Sequence, residues 1–185
     1  VKNYRPSIIT SPTAEPISIG QLKHRVNLAV DDDSHDCYLR ELIKECREEV
    51  ESDCDILCCT QTWKLETDEI CDGMQLHKSP VQSITSIQYY SNGGVLTTLP
   101  TSIYSLDATN RKIYLKPNQA WPSSQTRWDA WTITYVCGYT SVPAIVQKAV
   151  LLLAENYFLA RDPQKESKFS SYNRLIVKMQ RSTYP

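Results

Sequence analysis

The chain is short of the residues from which reactive sites are built. Five glycines in 185 residues leave no glycine-rich loop to cradle a phosphate, and neither a G-x-S-x-G elbow nor an H-E-x-x-H helix occurs. The three histidines, His24, His35 and His77, stand apart, and no spacing sets one beside a cysteine nucleophile. Charge of either sign is missing in excess. Twenty Lys and Arg against 21 Asp and Glu give a net charge of −1, which removes any global attraction to nucleic acid or to an anionic membrane. No clean run of about 18 apolar residues exists, so no membrane span is expected. The opening VKNYRPSIITSP has no continuous apolar core, and no secretory leader is read there.

Cysteine is the exception, with seven in the chain. An odd number in a chain this long, with no leader, reads as reduced thiols in the cytosol and not as a disulfide framework. Cys54, Cys58 and Cys59 lie close together, and Cys54 and Cys58 have a spacing that zinc sites use. No second pair or nearby histidine completes a site, and cysteine at core positions behaves as a small apolar residue. Asp31, Asp32 and Asp33 lack the further ligands and glycine turn of a calcium loop and read as helix-start acids. Lys23-His24-Arg25 is too small a basic cluster to bind nucleic acid, and the four tryptophans have no basic groove beside them. No catalytic, metal-ligating or cofactor-binding residue is therefore assigned. A thiol- or zinc-dependent enzyme using Cys54, Cys58 or Cys59 is the alternative, and a nucleic-acid-binding module is a third reading.

The most apolar stretch is 142–161. Pro143 suits a helix start, with Ser141 or Val142 before it. Ile145, Ala149 and Leu152 form one face, Val146, Val150, Leu153 and Tyr157 the next, and Leu151, Ala154 and Phe158 a third. Only Gln147, Lys148, Glu155 and Asn156 are strongly polar, so this helix needs cover on more than one side, from the chain's own helices or from a neighbouring subunit.

The remainder reads as α+β, a single domain of 1–185 with an insertion. Residues 1–17, with Pro6, Pro12 and Pro16, form an extended arm. A helical hairpin spans 18–56. Ser18 and Gln21 make a capping box, Ile17 and Leu22 a staple, and the first helix runs to near Val30. The second runs from about Asp36 to Asp53 on a stripe of Leu39, Ile43, Cys46, Val50 and Cys54, with Glu41, Glu45, Glu48, Glu49 and Glu51 on its solvated side. From Gln61 the period changes to two. Antiparallel β structure fills 60–137, with strands at Thr62–Thr67, Met74–His77, Val81–Tyr90, Val95–Leu99, Ile103–Leu106, Lys112–Leu115 and Trp131–Val136, and a hairpin turn at Asn92-Gly93-Gly94. The hairpin and the apolar helix together form a bundle. The basic tail, 163–185, carries Phe169, Tyr172, Ile176 and Met179 on one helical face, beside Lys168, Arg174, Lys178 and Arg181. It reads equally as a docking peptide and as a last helix packed on its own domain.

Four stretches, in this order, carry a resemblance: ITSPTAEPISIGQLKHRVNL, DDDSHDCYLRELIKECREEVE, CCTQTWKLETD with SPVQSITSIQYYSNGGV, and YVCGYTSVPAIVQKAVLLLAENYFLAR. Together they resemble the head–tail connector (adaptor, or head completion) proteins of tailed double-stranded DNA phages, prophages and gene transfer agents. The likeness covers the chain up to Arg161. The cysteine-rich SDCDILCC replaces the family's short glycine turn, and the tail beyond Asp162 has no counterpart. The resemblance implies a non-enzymatic virion protein, assembled in the host cytoplasm, in a ring of about twelve copies joined by heterologous contacts. Such a ring sits below the portal protein, meets a tail or stopper/tail-terminator protein, and lets genomic DNA through its lumen without sequence-specific binding. On this reading Pro12, Pro16, Val146, Val150, Leu153 and Tyr157 make the subunit interface. Phe169, Tyr172, Arg174, Ile176, Lys178, Met179 and Arg181 meet the portal.

Overall fold

A computed structural model describes residues 4–160 and 169–183, with the side chains of the last helix described over 171–180. The architecture is α+β with antiparallel sheets. Where the sequence reads as one domain with an insertion, the chain divides into two compact units. A sheet unit is made of 1–12 and 60–138, and a helical unit of 13–59 and 139–185.

The sheet unit holds eight strands: β1 (Arg5–Thr10), β2 (Gln61–Thr67), β3 (Met74–Gln75), β4 (Val81–Tyr90), β5 (Leu96–Thr98), β6 (Tyr104–Asp107), β7 (Lys112–Leu115) and β8 (Trp131–Cys137). The first sheet has the order β1-β2-β8-β4-β5 and the second β3-β7-β6. Period-two alternation explains β8, whose Trp131, Ile133, Tyr135 and Cys137 are buried while the residues between them are half-exposed. Pairing sets Leu65 and Ile87 opposite Ile133, so one apolar face runs across three strands. The other face is mostly polar, with Thr62, Lys64, Glu66, Thr132 and Thr134 beside Val136.

The proline-rich start is not a free arm. Residues 5–10 pair with β2 as an edge strand, Pro6 opposite Leu65 and Ile8 opposite Trp63. Proline is tolerated there because an edge strand need not donate on both sides.

The helical unit contains α1 (Ile19–Arg25), α2 (Asp36–Cys54), α3 (Ala144–Ala160) and α4 (Phe169–Thr183). Ser18 and Gln21 close the capping box at 2.7 and 3.2 Å, and Ile17 and Leu22 are both buried. α1 stops short of Val30. Asn27 adopts a left-handed φ of 58°, and the Leu28 amide returns to the Lys23 carbonyl at 2.9 Å. That pattern ends a helix with a left-handed residue just past its cap. Asp32 caps a short 3-10 turn at 33–35 through the Ser34 amide, and α2 follows with no side-chain cap of its own. Leu39, Ile43, Cys46, Val50 and Cys54 of α2 pack with Val146, Ala149, Val150, Leu153 and Ala154 of α3 in one core.

Candidate functional site

Two buried cations fix the helical unit. Arg47, with its side chain 5% exposed, bonds Glu15 at 2.9 Å, Glu51 at 3.0 Å and Glu48 at 3.2 Å. Glu51 is itself buried, and its second oxygen accepts the Cys58 amide at 2.9 Å. One guanidinium thus ties α2 to the segment before α1, and one carboxylate ties it to the loop after α2. Burial opposes the charge on Arg47, but Glu51, Glu15 and Glu48 more than offset it and raise its pKa. Glu51 therefore leaves the solvated acidic face that the sequence suggests. Arg47 is four residues from Ile43 and three from Val50, a spacing that places it on the buried stripe.

Lys23 is the second cation. It belongs to the basic run Lys23-His24-Arg25, yet it is 2% exposed. Its ammonium meets Asp36 at 2.6 Å, Asp33 at 3.6 Å and the Val30 carbonyl at 3.1 Å. The hydrogen bond to Asp36 holds the Lys23 pKa above its usual value. The acidic loop between α1 and α2 is thus bound from inside by a lysine. Of the three consecutive acids, Asp33 meets Lys23 and Asp32 accepts the Ser34 amide.

The cysteine cluster is core. Cys46, Cys54, Cys58 and Cys59 are buried among apolar side chains. Burial, aided by neighbouring carboxylates, pushes Cys46 up to about 12 and Cys54 and Cys59 up to about 11, with Cys58 moved in the same direction. A thiolate nucleophile requires the opposite shift. Among the described residues, no group of three His, Cys, Asp or Glu is placed to hold a metal ion. The shifts fix a pH dependence. A folded-state pKa raised above the ordinary value of 9.0 adds stability that is full below that pH and is lost as pH rises through about 11. The urea midpoint of the chain is expected to hold to about pH 9 and fall towards pH 11. A midpoint that stays flat to pH 11 would contradict this account of the thiols.

The predicted interface residues separate into two groups. Val146, Val150, Leu153 and Pro16 are buried within their own unit. Pro12 and Tyr157 are half-buried, and the Tyr157 hydroxyl donates to both oxygens of Glu49 at 2.8 and 3.0 Å. α3 instead turns Ile145 outward, 40% exposed. Among the described residues, no helix is long and apolar enough to cross a membrane.

The predicted docking tail is the fourth helix of the unit. Tyr172, Ile176 and Met179 join the core, the Tyr172 hydroxyl donates to Asp53 at 2.7 Å, and the Gln180 amide donates to the Asp53 carbonyl at 2.7 Å. Arg174 and Lys178 remain exposed, with Val177 beside them. The side chains of Phe169 and Arg181 lie outside the described residues.

In the sheet unit two of the four tryptophans, Trp121 and Trp131, meet at the start of β8. Trp131 stacks on Tyr89 with ring centroids 5.0 Å apart, meets Trp121 edge-on at 6.0 Å, and donates through Nε1 to Ser124 at 3.0 Å. Arg127 lies 3.8 Å over Tyr90 and is held by Asp129. An open cleft of about 450 Å³ is lined by Asp68, Glu69 and residues 124–128. It has no buried base or nucleophile, and its one arginine is already paired with Asp129.

Neither a protein-family profile nor a curated protein sequence matches the chain. Solved structures do. A chain in the neck of an empty gene transfer agent (GTA) particle, computed with C6 symmetry, superposes with a TM-score of 0.72 at 15% identity, covering 95% of both chains. A chain in the virion of a native GTA particle gives 0.76 at 18% identity, covering 95% of this chain and 94% of that one. A chain in the neck of a native GTA particle, computed with C12 symmetry, gives 0.67 at 17% identity, covering 94% and 95%. At these identities the likeness is one of fold, and along nearly its whole length this chain is folded as those neck and virion chains are.

Proposed function

We propose that the chain is a structural virion protein of a phage-like neck, an adaptor whose copies form a ring between portal and tail. The observation that carries this reading is the whole-chain likeness in fold to chains of GTA necks and virions. The C6 and C12 symmetries of those necks favour a ring, and about twelve copies is the number proposed. The virion is the proposed location, after assembly in the host cytoplasm. The upper partner is a portal protein and the lower one a tail or stopper/tail-terminator protein. Genomic DNA passes through the lumen. The exposed acids of α2, Glu41, Glu45 and Glu48, suit a lumen wall that does not grip phosphates.

Portal docking is assigned to the exposed face of α4 that bears Arg174 and Lys178. Removing the whole tail would be a poor test, because it would also remove Tyr172, Ile176 and Met179 from the core. Charge reversal, Arg174→Glu with Lys178→Glu, leaves that core intact. Imaging of a labelled parent chain is expected to find it at one vertex of the particle, and the folded double variant is expected to be lost from that vertex. A parent chain spread over the whole shell would reject the neck reading. Full retention of the variant would reject the α4 contact alone.

A further inference from the structure

β1 presents an imbalance. A six-residue strand is bound along one edge only, and five of its six residues are exposed. Ordering each of those residues costs about 1–2 kcal/mol in backbone entropy. Ile8 and Ile9 are 46% and 54% exposed, so little burial offsets that cost within the chain. The opposite end of the same sheet is β5, also paired on one side only, with Val95 64% and Leu96 48% exposed. Six of the nine large apolar residues exposed among the described residues belong to the sheet unit. Five of them, Tyr4, Ile8, Ile9, Val95 and Leu96, sit on or beside these two outer strands.

We infer that β1 of one copy and β5 of the next meet edge to edge, so that the five-stranded sheet continues from subunit to subunit. This rests on the ring reading above, and it names the contact that the ring uses. The occupant is a second copy for three reasons. First, a ring larger than a dimer needs a contact between two different patches of one chain, and the two ends of a single sheet are such patches. Second, the charges permit it. Proteins commonly guard an open edge with lysine or other charges. β5 carries none, and the one charge on β1, Arg5, is drawn aside to lie 4.5 Å over Trp128. Pro6 and the irregular register between Ile8 and Thr10 shorten the usable edge and limit the pairing to a few residues. Third, the area suits a ring and not a dimer. The exposed apolar side chains at the two edges amount to a few hundred Å², well under the roughly 1,600 Å² of a standard stable interface. A lone pair of copies held this way would separate, whereas a closed ring repeats the contact at every subunit.

The test uses the full chain in assembled particles, where it is at its working concentration. Ile9→Cys and Leu96→Cys are introduced together into a Cys37→Ser background, because Cys37 is exposed. A short bis-maleimide then bridges thiols across adjacent strands without requiring one exact register. The expected result is a ladder of covalent multimers rising in steps of one chain mass, 21.2 kDa, with only monomer in either single variant. Chain present in the particles with no ladder overturns the inference and leaves the neck reading standing. Dimers from Ile9→Cys alone overturn it in favour of like edges pairing, and bands containing another particle protein overturn it in favour of a different occupant. Absence of both the parent and the variant chain from particles overturns the neck reading itself.

Discussion

Replacing Arg47 with methionine is expected to destabilise the helical unit by about 3–5 kcal/mol, the range seen when one partner of a buried ion pair is removed. The loss comes less from missing attraction than from what is left behind. Glu51 stays buried, facing the space where the guanidinium was, and must either hold an unpaired charge or take up a proton, while its other oxygen still holds the Cys58 amide. The double variant Arg47→Met with Glu51→Gln is expected to be more stable than Arg47→Met alone. The amide oxygen at position 51 can still accept from Cys58, and the carboxylates left without Arg47, Glu15 and Glu48, reach solvent. Urea unfolding of the two variants beside the parent reads both quantities. If the double variant is the less stable of the two, the stranded-charge account fails.

The second large effect is expected at Trp131. Truncation to alanine should cost the sheet unit about 3–5 kcal/mol. The indole is 2% exposed, stacks on Tyr89 and supports Trp121. Trp131→Phe keeps most of the apolar area and loses the Nε1 bond to Ser124, so its cost should be nearer 1–2 kcal/mol. Denaturation followed by tryptophan fluorescence, with the three remaining tryptophans as reporters, separates the two variants. Equal losses for both would mean that the hydrogen bond, and not the ring packing, dominates at this position.

What the sequence revealed depended on whether local rules decided the outcome. The capping box at Ser18 and the buried stripe of α2 involve residues three and four apart, and both are present as read. β4 and β7 also have the bounds that alternation gives them. Legibility failed where a partner distant in sequence decided the outcome. Pro6 forbids helix, but nothing near it shows that 5–10 will pair with a strand more than fifty residues further on. Lys23 looks solvated until the loop folds back with Asp33 and Asp36 to receive it. Tyr172, Ile176 and Met179 have the spacing of a buried face, and that spacing is the same whether the face meets a partner or the chain's own core. The end of α1 was legible in principle, because Asn27 is a residue that tolerates the left-handed conformation found there. Cys46 and Cys54 were legible as core from the stripe of α2, whereas Cys58 and Cys59, beyond the end of that helix, had no periodic signal.

The interleaving of the two units sets an order on the nascent chain. The sheet unit is complete once residue 138 has emerged, whereas the helical unit must wait for α3 and α4. α1 and α2 leave the ribosome early, but about a hundred further residues are translated before all of α3 is out to cover them. At about 5–20 residues per second that wait is roughly 5–20 s. Through it Leu39, Leu42, Ile43 and Val50 stand open to other chains. Until α3 emerges, those side chains have only each other and α1 to pack against.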